Sequence, residues 1–228
     1  MKLNDRGNRR IGMRVPALML TALLAACGST PAPPDWQMGA HASLGRAQQA
    51  ALTGLTSIEA AEMARVRREL ARTGRVDFMA RAELGLCAVH VASLDFSACE
   101  AFDRLEVDAG EAEKAYARYL AGASLPGDAV WLPEVHKSLV AGAETARHAL
   151  PSVADPLSRL VGAGVLMRRG EASPELLQLA VDTASAQGWS RPLLAWLGVQ
   201  RERARTGGDA GQAERIQRRM DLILQSAR

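Results

Sequence analysis

Three cysteines, four histidines and a run of arginines are the residues of this 228-residue chain that could carry chemistry. Cys27 closes an apolar stretch, VPALMLTALLAA over residues 15–26, and is followed by GSTPAPP. A cysteine thiolate is a nucleophile and can be alkylated. Cys87 and Cys99 bound a segment of thirteen residues. In an oxidising compartment that pair closes a disulfide, which stabilises by about 3 kcal/mol through loop entropy. In a reducing one it stays as two buried thiols. Two cysteines without a histidine pair are too few ligands for a metal. His41, His90, His136 and His148 are scattered. His136 and His148 share an expected helix, but twelve residues at 3.6 per turn set them about 120° apart. His90, three residues after Cys87, reads as a packed core residue. Glu111 and Glu113 read as exposed first-turn charges favoured by the helix dipole. There is no G-x-S-x-G, H-E-x-x-H or P-loop. GAGVLMRRG, residues 162–170, has glycines without a preceding strand or dinucleotide spacing. No catalytic residue and no metal ligand is assigned.

Residues 1–14 carry Lys2, Arg6, Arg9, Arg10 and Arg14 against Asp5. The twelve apolar residues that follow rise about 18 Å as a helix, short of the roughly 30 Å hydrocarbon layer. A basic n-region and a short h-region make a secretory signal, with Met1 or Met13 as a sufficient start. Leu24-Ala25-Ala26-Cys27 resembles the bacterial lipobox. The resemblance implies that Cys27 is diacylated, that residues 1–26 are removed, and that the new amine of Cys27 is acylated. Three acyl chains exceed what stable anchoring needs. Gly28 rather than Asp after the cysteine implies export to the outer membrane, with the mature chain facing the periplasm. The partners expected are the membrane, through this anchor, and an envelope protein whose identity the residues do not show. The acyl groups are the only non-protein component expected.

The formal charge of +3 reflects the leader. Removing residues 1–26 takes away five basic residues and one acid, leaving 23 basic against 24 acidic, a net charge near −1. Nucleic-acid binding loses its compositional support. About 200 residues suffice for one domain with a core, or two small ones. Abundant alanine, 4% aromatics and no β-branched runs favour closely packed helices.

Residues 27–42 read as the lipidated cysteine and a Pro-rich tether, long enough at about 3.1 Å per residue to hold a domain some 45 Å off the membrane. Its Trp36 suits either a membrane interface or packing on the domain. Residues 43–152 read as a helical half containing the disulfide. Thr56–Glu59 and Ser97–Glu100 have capping-box spacing, Asp77 caps a further helix, Asp108 opens another, and Pro133 begins one running to about Leu150. The helix FMARAELGLCAVHVA, residues 78–92, is apolar on most sides and so central.

Residues 153–228 read as helix pairs. Starts at Asp155, Ser173, Ser190 and Asp209 lie 18, 17 and 19 residues apart, with stops at Gly170, Gly188 and Gly207-Gly208. At an offset of 36, Pro156 matches Pro192, Leu157 matches Leu193, Gly162 matches Gly198 and Arg169 matches Arg205. Period and the turn GGDAGQAERI resemble tetratricopeptide repeats. Arg201 and Leu194 depart from that consensus where Tyr and Trp are expected. The fold class expected is all-α, a bundle or short α-solenoid.

The arginines of RVRRELARTGR, Arg65, Arg67, Arg68, Arg72 and Arg75, form a candidate basic patch for lipid head groups, acidic glycan or an acidic protein, echoed at Arg201/Arg203/Arg205 and Arg215/Arg218/Arg219. Interleaved Glu62 and Glu69 give the competing reading, a solvated helix face. Together these features point to an outer-membrane lipoprotein whose helix-pair array binds a partner along an apolar groove, as a scaffold or assembly factor. A peptidoglycan-acting enzyme and a lipid- or envelope-binding structural lipoprotein are the alternatives.

Overall fold

Capping residues decide where the helices of the second half begin. Asp155 accepts a hydrogen bond from Ser158 N at 2.7 Å, with Pro156 in the first turn. Ser173 accepts from Leu176 N at 3.2 Å, and Asp209 from Gln212 N at 2.8 Å. Each bond satisfies an amide that the first helical turn would leave without a partner. Gly170 at φ 76° and Gly188 at φ 67° end the helices where the sequence expects, in a left-handed conformation open to glycine.

The computed structural model describes residues 33–140 and 142–226, so the leader, the lipobox and Cys27 lie outside the described residues. It is all-α, with eleven α-helices and no strand among the described residues. They are α1 (Asp35–Thr53), α2 (Thr56–Ala71), α3 (Val76–Ala92), α4 (Glu100–Asp103), α5 (Glu111–Leu120), α6 (Glu134–Lys137), α7 (Ala143–Ala149), α8 (Pro156–Arg168), α9 (Pro174–Gln187), α10 (Ser190–Thr206) and α11 (Ala210–Ser226). No helix among the described residues is long and apolar enough to cross a membrane.

Helices α8 to α11 pack in sequence, each on the next, as short connections require. Helix α3 is central, as its apolar circumference predicts, and packs on α1, α2, α5 and α8. One core joins Leu52, Leu84, Val89, Phe102, Tyr119, Leu160, Leu177 and Trp196. The two halves read from the sequence belong to one compact unit, Pro34–Arg228. Each fully buried Leu or Phe contributes about 1.5–3 kcal/mol, so neither half would keep its stability alone.

The contact of α3 with α8 is made at backbone distance. A Cβ built on Gly164 would fall 2.9 Å from the carbonyl carbon of Val91, and closer still to its oxygen. Trp196 of α10, fully buried, donates from Nε1 to Ala92 O at 3.0 Å and so satisfies a carbonyl at the end of α3. Within the helix-pair region, α3 of the same chain packs along α8 and meets α10 at Trp196.

Several expectations need correction. The tether is shorter than 27–42, since Asp35 opens α1 behind Pro34, whose fixed φ suits a helix entrance. Trp36 lies in α1 with its ring 5.7 Å from that of Phe78. Thr56 starts α2 without capping it, and Glu59 turns to His90 and Arg191 instead. Arg75 precedes α3 and holds Asp77 in an ion pair of 2.7 Å, so Asp77 does not cap. Ser97 bonds Asp95, and Gly110 rather than Asp108 precedes α5. The helix expected from Pro133 to Leu150 is broken between α6 and α7, where Gly142 takes φ 137°. His136 and His148 consequently sit on different helices.

Candidate functional site

The sequence-predicted cysteine pair is brought together. Cys87, late in α3, and Cys99, just before α4, form a disulfide with Cα atoms 6.0 Å apart. It closes the turn in which Leu94 takes φ 59°, a left-handed conformation unusual for a residue with a branched side chain. Asp95 N donates to His90 O at 2.9 Å and Leu94 N to Val91 O at 3.0 Å, so Leu94 occupies the place glycine takes in a Schellman ending.

The arginine cluster is largely neutralised by its own surroundings. Arg65 pairs with Glu62 at 3.4 Å, Arg72 with Glu69 at 3.0 Å and Arg75 with Asp77. Arg67 reaches across to α3 and grips Glu83 with two bonds of 2.6 and 2.8 Å. Arg68 is exposed and makes no ion pair among the described residues. Acids thus pair four of the five arginines, two through the interleaved Glu62 and Glu69 and two through Asp77 and Glu83 of α3.

Two polar contacts between helices escape sequence reasoning. Glu113, read as an exposed first-turn charge, is 5% exposed and accepts from Arg81 Nε at 2.5 Å. His90 is half-buried at the surface rather than packed in the core, with Nε2 2.8 Å from Glu59 Oε1, and Arg191 of α10 stands 3.3 Å from the other oxygen of that carboxylate. These partners are 32, 31 and 132 residues apart, so no local pattern could pair them.

Beneath α5 lies a buried ring cluster. Tyr119 stacks on Tyr116, with centroids 5.9 Å apart, and its hydroxyl lies 3.1 Å from His136 Nδ1. Burial drives the His136 pKa from 6.5 down to about 4, and raises that of both tyrosines. All three rings therefore stay neutral at ordinary pH. Their centroids lie 4.9 to 5.9 Å apart, so the three rings pack on one another.

The concave feature with the most recognition chemistry crosses the outer face of α3. One cleft of about 470 Å³ runs between α3 and α5, floored by Leu84, Gly85 and Ala112 and walled by Tyr116, Trp131 and Pro133. A second, of about 240 Å³, lies between α1, α2 and the start of α3, lined by Trp36, Leu44, Leu70 and Phe78. Arg81 lines both, so the two meet at the Arg81–Glu113 ion pair. Gly85 lets α1 approach α3, since a Cβ there would sit 3.3 Å from Gln48 Nε2. Trp131 is 51% exposed beside Val130 at 73%, an aromatic rim with little of the chain over it. A cleft of mainly apolar lining with one convergent charge pair suits a peptide or protein segment.

A further cleft of about 580 Å³ between α7 and the start of α9 has Glu144, His148 and Glu175 on its walls. The Ser173 hydroxyl and its own backbone amide hold the Glu175 carboxyl below the usual range. Glu62, Asp77, Asp95 and Asp128 are likewise displaced downward, by an arginine or, for Asp95, by Ser97. These carboxyls are held as anions, the opposite of what a general acid requires. No group of three or more His, Cys, Asp or Glu among the described residues is placed to hold a metal.

Set against known protein families, characterised proteins and solved structures, the chain matches none.

Proposed function

We propose that this chain is a lipoprotein, anchored in the outer membrane by acyl groups on Cys27 and facing the periplasm, that serves as a protein-binding scaffold or assembly factor of the cell envelope. The anchor rests on the resemblance of Leu24-Ala25-Ala26-Cys27 to a lipobox and on the basic and apolar segments before it. The disulfide is consistent with an oxidising compartment.

The observation that carries the binding role is the cleft between α3 and α5. Its Trp131 rim is half exposed although tryptophan is among the most apolar area a chain can bury. Interfaces concentrate affinity in such aromatic anchors, with an arginine beside them. Arg81, 60% exposed, supplies that charge at the cleft's edge. On this reading the binding surface is the outer face of α3 rather than a groove of the helix-pair region.

The test is site-specific photocrosslinking in cells. A probe replacing Ala112, on the cleft floor, should capture one envelope protein. A probe replacing Gln225, on the exposed side of α11, should not. Trp131→Ala should abolish the capture without changing protein level. Equal capture from both positions, or capture indifferent to Trp131, would refute the cleft as a docking site. Palmitate-analogue labelling that survives Cys27→Ala would remove the anchor.

A further inference from the structure

One end of the helical body gathers the residues nearest in sequence to Cys27. Helices α1 and α2 run antiparallel around the link at Gly54-Leu55, so the start of α1 lies beside the end of α2. Gly39 confirms the register, for a Cβ there would be 3.8 Å from Glu69 Cγ. Helix α3 starts at the same end, where Trp36 and Phe78 rings are 5.7 Å apart and the Arg75 guanidinium covers Phe78 at 4.1 Å. Met38, 48% exposed, lies at this end, as do Arg68, Arg72 and Arg75 on the last turn of α2 and the turn that follows.

Chain length fixes how far this end can be from a membrane. Seven residues, 28–34, separate Cys27 from Asp35, and four of them, Pro31, Pro33, Pro34 and Thr30, are proline or β-branched. Seven residues span about 25 Å at most. The opposite end, with Leu55 and the Glu59–His90 pair, lies a further 28 Å or so away along the 19-residue α1. Of the two ends of α1, the α1/α2/α3 end is the one that a tether of this length brings to the bilayer.

The charges at that end are Arg68, Arg72 and Arg75 against Asp35, Glu69 and Asp77. The pairs Arg72–Glu69 and Arg75–Asp77 are at the surface, with arginine side chains 72% and 56% exposed. Exposed pairs of this kind contribute at most about 1 kcal/mol, so a phosphate group can take the guanidinium over. Trp, Met and Phe between arginines is the composition of a membrane interface, where amphipathic rings lie level with head groups and long basic side chains reach phosphates.

We infer that the α1/α2/α3 end docks on the phospholipid surface in which Cys27 is anchored, seating Trp36, Met38 and Phe78 at head-group level and Arg68, Arg72 and Arg75 on phosphates. This rests on the acylation of Cys27. The lining of the α3/α5 cleft includes none of these docking residues.

The test is hydrogen exchange on the acylated full mature chain, bound to vesicles of phosphatidylethanolamine and phosphatidylglycerol, with the unacylated Cys27→Ala chain in buffer as reference. Intact mass first establishes the acyl groups. The expected result is slowed exchange over 35–40 and 68–78 and unchanged exchange over 53–59. Each arginine near an anionic surface is worth about fivefold in affinity. Arg68→Glu and Arg72→Glu, both exposed, should therefore restore fast exchange. Met38→Glu should do so in part, and raised salt should weaken docking. Equal exchange over 35–40 and 68–78 in the acylated, vesicle-bound chain and the reference would overturn the docking while leaving the anchor intact. An intact mass without acyl groups would overturn the anchor, and docking with it.

Discussion

Replacing Gly164 by alanine should cost far more than replacing Gly198, although both are glycines inside helices of the same repeat-like region. Alanine is intrinsically better in a helix by about 0.5–1 kcal/mol. At Gly198 nothing lies within 4 Å of the added Cβ, so that gain should appear undiminished. At Gly164 the Cβ meets the backbone of Val91, with the carbonyl carbon and Cγ1 each at 2.9 Å. No rotamer change can move a carbonyl. Val91 O also accepts the Leu94 amide at 3.0 Å, so displacing it loosens the end of α3. Helices α3 and α8 must separate by on the order of 1 Å, which forfeits a quarter to a half of each contact across the interface. Overpacking a dense core costs about 1–3 kcal/mol, and this backbone case belongs at the upper end, for a net loss of about 2 kcal/mol. Gly162 lies between the two. Its Cβ would meet Leu139 Cδ1 at 2.6 Å and Leu150 Cδ1 at 2.7 Å, the far ends of side chains that can shift. Urea unfolding of the oxidised chain, followed by far-ultraviolet circular dichroism, measures all three. With m near 2 kcal/mol/M, Gly164→Ala should lower the midpoint by about 1 M and Gly198→Ala should raise it by about 0.4 M. A Gly164→Ala chain as stable as wild type, at unchanged m, would refute backbone contact between α3 and α8.

Two further predictions concern buried charge. His136 titrates near 6.5 unfolded but is pushed by burial to about 4 in the fold. Between those values the unfolded chain binds a proton the folded chain refuses, so stability falls as pH drops from about 6.5 to 4, by up to about 3 kcal/mol. The stability difference between wild type and His136→Gln, measured by urea unfolding across that window, should shrink toward acid; a constant difference would show that His136 titrates normally. Arg67→Met leaves the 5%-exposed Glu83 carboxylate without its bidentate partner and should cost about 2 kcal/mol, less than a fully buried pair because Arg67 is 46% exposed. Replacing both, Arg67→Met with Glu83→Leu, should recover most of that loss, and a double variant no more stable than Arg67→Met would count against burial of the charge as the cause.

Local chemistry determined much of this protein by itself. Asp155, Ser173 and Asp209 carry side chains that bond amides two or three residues on, and Gly170 and Gly188 tolerate left-handed backbone, so the helices of the second half were legible to within a residue. The centrality of α3 followed from its apolar circumference, and the cysteine pair was expected from the oxidising compartment that the leader implies. The same local signals failed wherever a distant group offered a better partner. Glu59 has capping-box spacing but bonds His90 and Arg191, and Glu113 looks like a first-turn surface charge but is buried under Arg81. The aligned glycines Gly162 and Gly198 are equivalent in the sequence and opposite in the fold, one wedged against Leu139 and Leu150, the other open. Trp131 could not be assigned to a cleft because its walls come from α3 and α5, and the basic run could not be discounted because Glu83 lies on another helix. Capping and turn energies depend on residues within about four positions and are written in the sequence. Burial, pairing and the covering of one helix by another depend on which segments meet, and only the packing of α3 against α1, α5 and α8 decided that.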